Sequence, residues 1–278
     1  MAHNERIEEI RRLIRSVRAV TVCDLSARFA VSQVTIRKDL EALEKQGALL
    51  RTHGGAILAE DEMRTVPLSQ RMERNLAAKE QIARRALELI GDARTVILDA
   101  GSTMQAIARG LRDRPIHVIT NSLAVANELS TRSSGTLMLL GGDWRRESEA
   151  FIGPYTLRIL SEINADVAFV GATGYDVEHG FTCQNSVESQ VKTAILSRAR
   201  HAYVAADSSK WNHVAFSIFA RRGGIEALVT DSGLPAEARQ RLEEAGIYVL
   251  TPSHGARYRK QSKQKETKRN VIRTQNRA

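Results

Sequence analysis

The chain is 278 residues long, with 42% hydrophobic and 26% charged residues, enough for two domains that each bury a core. It holds no apolar run long enough to cross a bilayer and no signal-peptide pattern at its N-terminus, and its only cysteines, Cys23 and Cys183, make no disulfide framework, so a cytoplasmic protein is expected. The net charge of +9 is unevenly spread: ten Lys/Arg stand against seven Asp/Glu in residues 1–58, twenty-two against twenty-four in 59–253, and nine against one in 254–278.

Ile7, Ile10, Ile14 and Val17 repeat at helical spacing and predict a first helix. A short helix follows over Val22–Phe29, burying Leu25 and Phe29, with a turn at Ala30-Val31. Ser32 then suits the N-cap of a second helix, in which Ile36, Leu40 and Leu43 face a core until Gly47 ends it. Gln33, Thr35 and Lys38 fall off that apolar face, with Arg37 at its edge. Polar and basic residues in the first turns of such a helix suit base edges and phosphates. Leu49–Arg51 and Ala56–Leu58 can pair as a hairpin around Thr52-His53-Gly54-Gly55. The pattern reads as a winged helix-turn-helix over residues 1–58. An ordinary helical hairpin with a solvated basic face would not require cap, turn, basic first turn and wing in this order. The candidate DNA contacts are Ser32, Gln33, Thr35, Arg37 and Lys38, with Arg51 and His53 from the wing.

The residues TIRKDLEALEKQGALLRTHGG closely resemble the signature of the DeoR family of bacterial transcriptional regulators, and the resemblance continues to about Thr251. It implies a repressor of a sugar-catabolism operon that binds double-stranded operator DNA and is released by a phosphorylated sugar.

Residues 59–75 read as a linker, with Pro67 breaking any continuous helix. A second domain is expected over 76–252. It opens with an amphipathic helix over Ala77–Ile90, and Glu188 and Lys192 sit at i, i+4 on a later one. Thr95–Leu98, Ile116–Ile119, Leu137–Leu140, Val167–Val170, Tyr203–Ala206, Leu228–Val229 and Tyr248–Leu250 are apolar strands, with helices between several of them and one over Pro235–Glu244. Continuous apolar strands of this kind belong to a mostly parallel α/β sheet covered on both faces. Five consecutive strands end in small polar or glycine residues, at Asp99–Thr103, Thr120–Ser122, Gly141-Gly142, Gly171–Gly174 and Asp207–Lys210. In such sheets ligands bind at the carboxyl ends of strands. Gly101-Ser102-Thr103 before a helix offers free N–H groups to an anion. Lys192 and Lys210 can add point charges, while Asp99, Asn121 and Asp207 can accept from sugar hydroxyls. Taken singly, each loop is equally a helix cap, and Glu188 with Lys192 equally a surface ion pair.

DAGST, TNS, LLGG, FVGATG and ADSSKW are similar to the strand-end motifs of the DeoR-family sensor domain, whose fold is like that of ribose-5-phosphate isomerase and glucosamine-6-phosphate deaminase. That likeness makes Gly101, Ser102, Thr103, Asn121, Gly142, Thr173 and Lys210 candidate effector contacts; Asp99, Lys192 and Asp207 join them on chemical grounds. No cofactor is expected, and His117, His179, His201 and His213 lack metal-ligand spacing. Partners beyond DNA and effector reduce to further copies of the chain, as dimer or tetramer, with no membrane. Two other readings remain at this point: a sugar-phosphate isomerase or deaminase, for which Asp99, Glu188, Asp207, Lys192 and Lys210 are suitable types, and a C-terminal domain that only oligomerises. Residues 253–278 read as a basic disordered tail suited to non-specific phosphate contacts, a feature the family does not usually carry.

Overall fold

The computed structural model describes residues 3–17, 19–45, 49–51, 54–58, 68–131 and 134–252; the basic tail, Gly47, Thr52 and His53 lie outside the described residues. The chain divides into two compact units between Thr65 and Val66.

The first unit runs α1 (His3–Val17), β1 (Ala19–Thr21), α2 (Val22–Phe29), α3 (Gln33–Lys45), β2 (Leu49–Arg51) and β3 (Gly55–Leu58). Thr21 starts α2 by accepting a hydrogen bond from Asp24 N–H at 3.0 Å, and Ala30 ends it in the left-handed region at φ 51°. Ile10, Ile14, Leu25, Ile36, Leu40, Leu43 and Leu49 form a core with 0–1% exposure, as their spacing requires. Val17, expected on the same face, is 54% exposed because it is the last residue of α1, past the packed stretch. The wing has a strand more than the sequence showed: β3 lies between β2 and β1, antiparallel to both. A Cβ on Gly55 would lie 2.0 Å from the Val20 carbonyl, so β1 and β3 can approach only at glycine. Behind the recognition helix, Arg6 Nε donates to Asp39 Oδ2 at 2.6 Å and Nη2 to Oδ1 at 3.3 Å, with Asp39 1% exposed. This fork joins α1 to α3 and fixes the rotation of α3 about its axis.

The second unit begins with α4 (Leu68–Glu73) and α5 (Leu76–Ile90). Residues 68–73, expected in the linker because of Pro67, form a helix whose Leu68 is 1% exposed. Proline forbids a helix interior yet suits a helix start, so that signal does not distinguish a linker from a new helix. There follow β4 (Thr95–Leu98), α6 (Ser102–Arg109), β5 (His117–Thr120), α7 (Leu123–Leu129), β6 (Thr136–Leu139), β7 (Asp143–Arg145), β8 (Ala150–Ile152), α8 (Pro154–Ser161) and β9 (Ala165–Val170). The remainder is β10 (Gly174–Asp176), β11 (Gly180–Cys183), α9 (Ser186–Ser197), β12 (Ala199–Ala205), β13 (Ser217–Ala220), β14 (Ala227–Val229), α10 (Ala236–Glu244) and β15 (Val249–Leu250).

Seven strands pair in the order β15-β14-β12-β9-β4-β5-β6, every pair parallel. Alternate residues of each strand feed opposite faces. Val96, Leu98, Val118 and Phe169 pack under α5, α6 and α7, while Ile97, Ile119, Ala168, Val170 and Val204 pack against α8, α9 and α10. The sheet grows outward from β4 in one direction through β5 and β6, and in the other through β9, β12, β14 and β15. The order therefore reverses between β4 and β9, the position at which sheets of this kind bind ligands. Two small antiparallel sheets, β7–β8 and β10–β11–β13, are inserted beyond the carboxyl ends of the main strands.

Replacing Asp39 by Ala removes the charged hydrogen bonds of Arg6, at a cost of about 1–3 kcal/mol to the N-terminal domain. Both tryptophans, Trp144 and Trp211, are in the second domain. The variant is expected to lose DNA binding and part of the helical melting transition while the tryptophan fluorescence transition stays put; an unchanged helical melt would show that the fork contributes little.

Candidate functional site

On the recognition helix, Gln33, Val34, Arg37 and Lys38 are exposed, while Ile36, Asp39 and Leu40 are buried behind them. Ser32 Oγ accepts from Thr35 N–H at 3.2 Å and shares a hydrogen bond with Thr35 Oγ1 at 2.9 Å. Ser32 and Thr35 thus form the cap of α3, leaving Gln33, Arg37 and Lys38 as its exposed polar and basic surface. Sequence reasoning passed over Val34, which is 59% exposed beside them and offers a methyl-bearing contact of the kind that meets thymine in a major groove. Arg51 lies in β2, its side chain, like His53, outside the described residues.

In the second domain the five expected loops follow β4, β5, β6, β9 and β12, all parallel, so they gather at one end of the sheet. At the reversal point Asp99, at the end of β4, is 1% exposed. Its Oδ2 accepts from Lys192 Nζ at 2.5 Å and from Gly171 N–H, just past β9, at 3.1 Å. Lys192 Nζ also donates to the Gly171 carbonyl at 3.2 Å and lies 3.4 Å from Glu188 Oε1. Burial works against the Lys192 charge, but Asp99 and Glu188 more than offset it and hold the ammonium above its ordinary pKa. Burial likewise pushes the Asp99 carboxyl upward, against the pull of Lys192. The surface-pair reading of Glu188 and Lys192 is corrected: the Lys192 side chain is 4% exposed, and its shortest ion pair is with Asp99, 93 residues away. Cys183 lies in the same field, its thiol pushed up to about 11 chiefly by burial, so it stays protonated at neutral pH.

The other oxygen, Asp99 Oδ1, is buried with no hydrogen-bond partner among the described residues. The same holds for Asn121 Oδ1, although Asn121 Nδ2 donates to the Phe151 carbonyl at 3.1 Å. Both residues are 1% exposed, and a buried carbonyl or carboxylate oxygen without a donor is costly. Two such acceptors at the ends of adjacent strands suit the hydroxyl groups of a polyol. Close by, α6 starts at Gly101 (φ 134°) with no side-chain cap, so Ser102 and Thr103 do not have the capping role that would otherwise explain them. A Cβ on Gly101 would meet nothing within 4 Å, which leaves room above the first turn for a ligand oxygen.

The remaining expected residues separate by what they touch. Gly142 (φ 148°) is glycine because a Cβ would lie 2.2 Å from Thr156 Oγ1 and 2.5 Å from the Ile152 carbonyl, a packing constraint. Thr173 is half-buried and its N–H is taken by the Thr182 carbonyl at 2.9 Å. Asp207 caps the short helical turn Ser208–Lys210 by accepting from Ser209 N–H, and it also accepts from Asn75 Nδ2 at 3.1 Å. Lys210 is half-buried on that turn, and Trp211 packs on Tyr175 at 5.9 Å between ring centroids. Arg71, Arg145 and Ser148 were not singled out from sequence. Arg145 Nε lies 3.7 Å from Glu188 Oε2, and Arg71 feels the charges of Glu188, Asp99 and Glu149. Among the described residues no group of His, Cys, Asp and Glu could hold a metal ion, and no helix is long and apolar enough to cross a membrane.

A winged helix-turn-helix with an exposed polar and basic recognition face, followed by a doubly wound domain, defines a DNA-binding transcriptional regulator. Residues 6–62 match the DeoR-like helix-turn-helix domain, and residues 74–232 match the DeoR C terminal sensor domain. The chain is similar to the putative aga operon transcriptional repressor of Escherichia coli O157:H7, 35% identical over 250 residues that cover 89% of this chain and 93% of that one. It is 34% identical over 251 residues to the repressor GlcR of Bacillus subtilis strain 168, covering 90% and 96% of the two chains. It is 31% identical over 250 residues to the glycerol-3-phosphate regulon repressor of Escherichia coli K12, covering 90% and 99%. The chain belongs to the DeoR family of transcriptional regulators. Among solved structures, ribose 5-phosphate isomerase A of Methanocaldococcus jannaschii superposes with a TM-score of 0.36 at 19% identity, over 48% of this chain and 53% of that one. The eIF2B delta subunit of Chaetomium thermophilum gives 0.42 at 17% identity, over 57% of each. Likeness at that level carries no functional information.

Replacing Lys192 by Met would leave Asp99 and Glu188 facing each other in a dry site, at a cost of about 3–5 kcal/mol at pH 8. A buried carboxyl with a raised folded-state pKa keeps a proton that the unfolded chain releases, so stability falls as pH rises through that pKa and returns as pH is lowered. Urea unfolding followed by tryptophan fluorescence should therefore show the deficit shrinking between pH 8 and pH 5.5. A deficit independent of pH would mean that lost packing, not a stranded carboxylate, is the cause.

Proposed function

We propose that the chain represses a carbohydrate-catabolism operon from the cytoplasm and that a phosphorylated sugar, bound in the crevice between β4 and β9, lowers its affinity for operator DNA. The observation that carries this reading is the pairing of opposite chemistries in one place. Asp99 Oδ1 and Asn121 Oδ1 are buried acceptors awaiting donors, and the uncapped first turn of α6 is a donor surface awaiting an anion. A polyol that carries a phosphate satisfies both; a neutral sugar or inorganic phosphate satisfies one. The names of relatives agree, since one is a glycerol-3-phosphate regulon repressor. Gln33, Arg37 and Lys38 would read the operator, and a dimer or tetramer would place recognition helices on paired half-sites about 34 Å apart or at multiples of that spacing.

An effector acts only through its different affinity for two states of the protein, and a coupling of about 1–3 kcal/mol gives an affinity change of about 5–150-fold. Fluorescence anisotropy of the protein on the duplex upstream of its own gene, with a scrambled duplex as control and a panel of sugar phosphates, tests the whole reading. Specific binding reversed by one phosphorylated compound is expected, and Arg37→Ala should abolish tight operator binding while the tryptophan fluorescence melt is retained. Specific binding that no compound alters would favour a second domain that only oligomerises. Equal binding to both duplexes would refute sequence-specific control.

A further inference from the structure

Arg71 is not explained by the fold. It sits on α4, the first element after residues 59–67, which join the two domains in sequence. Its guanidinium has five N–H donors. Of these, Nη2 reaches the Glu147 carbonyl at a long 3.5 Å, and Nε is buried without a partner among the described residues. Burial lowers its pKa against the pull of Glu188, Asp99 and Glu149, which places the guanidinium in the field of the crevice. An arginine held in a partly dry site, its Nε without a partner among the described residues, is a cost to folding that a ligand anion would offset. Its planar fork matches two oxygens of a phosphate.

The backbone that carries Arg71 is fastened with unusual care. Lys79, 5% exposed, directs its ammonium at the carbonyls of Arg71 and Arg74 and at that of Met72, 3.4 Å away, and so closes the end of α4. Asn75, in the left-handed region at φ 53°, makes no side-chain cap for α5. Its Nδ2 instead donates to Asp207 Oδ1 and to Ser209 Oγ, each at 3.1 Å, in the loop after β12. α4 also packs on α6, whose first turn carries Gly101-Ser102-Thr103. The corner between α4 and α5 is thus tied to the loop after β12, while α4 packs on α6 and Arg71 reaches the Glu147 carbonyl between β7 and β8.

We propose that Arg71 is a ligand for the phosphate of the effector, shared with the first turn of α6, and that α4 is the element through which occupancy of the crevice reaches the segment leading to the DNA-binding domain. This rests on the proposal that a phosphorylated sugar is the effector. The buried Lys192–Asp99 pair stays with the sheet, while Arg71 lies on the one crevice element contiguous in sequence with residues 59–67. A phosphate drawn between Arg71 and α6 would change the position of α4, and a neutral sugar resting on Asp99 and Asn121 would not.

The test uses full-length protein, with glucose 6-phosphate, fructose 6-phosphate, glucosamine 6-phosphate, glycerol 3-phosphate and inorganic phosphate as probes. Their affinities are read by calorimetry, and release of the operator duplex by anisotropy. For the compound that releases the wild-type protein, Arg71→Gln should raise Kd about 10–100-fold, and the concentration needed for half-release should rise in parallel. Arg71→Lys keeps the charge without the fork and should fall between the two; it carries the test alone if Arg71→Gln fails to give a tryptophan fluorescence melt. A variant that binds and responds within twofold of the wild type would overturn the role of Arg71 while leaving the sensor reading intact. A wild-type protein that binds its operator and responds to none of the probes would overturn both.

Discussion

The ion pair between Lys192 and Asp99 is the constraint on which the second domain depends. It lies where the order of the parallel strands reverses, and it draws α9, the end of β4 and the start of the loop after β9 to one point. A pair this dry gains little net stability over well-packed hydrophobic residues, but removing one partner is expensive. Its effect is therefore to specify geometry. With Oδ2 of Asp99 committed to Lys192 and Gly171, Oδ1 is held in a fixed direction with nothing to bind among the described residues. Asn121 is held in the same manner by its contact with the Phe151 carbonyl. In the proposed function these two oxygens read sugar hydroxyls, and their rigidity is what would let a small ligand distinguish two states of the protein.

The same economy recurs in the DNA-binding domain. Asp39 lies on the buried face of α3 and is gripped by Arg6 from α1, so the opposite face, with Gln33, Val34, Arg37 and Lys38, is turned outward. Ser32 and Thr35 spend their hydroxyls on each other and fix where α3 begins. In both domains a buried charged pair orients an element whose proposed contacts lie on its other side.

Much of this was legible in the sequence, because its causes are local. The parallel strands are buried on both faces and read as unbroken apolar runs such as Val167–Val170 and Thr95–Leu98. Ser32, the turn at Ala30 and the heptad-like Ile36, Leu40 and Leu43 announced the recognition helix through capping and periodicity. What escaped has long-range causes. β7, β8 and β10 are three residues each, too short for a period to show, and β1 exists only because β3 accepts it. Glu188 and Lys192 displayed their helical spacing, but Asp99, which decides that Lys192 is buried, stands 93 residues away. Arg71 was hidden by a different effect: a polar stretch after Pro67 resembles a linker, and only the fold shows that residues 68–73 form a helix packed on α6.

The most direct test of the proposed ligand-reading site is hydrogen–deuterium exchange of the full-length protein, with and without each sugar phosphate of the probe panel. Slowed exchange at residues 99–103, 121–122 and 171–173, with a change in α4 and little effect at the groove lined by Gly91, Arg94 and Arg114 at the other end of the sheet, is the predicted result. Protection centred on that opposite groove, or none at the ends of β4 and β5, would contradict it.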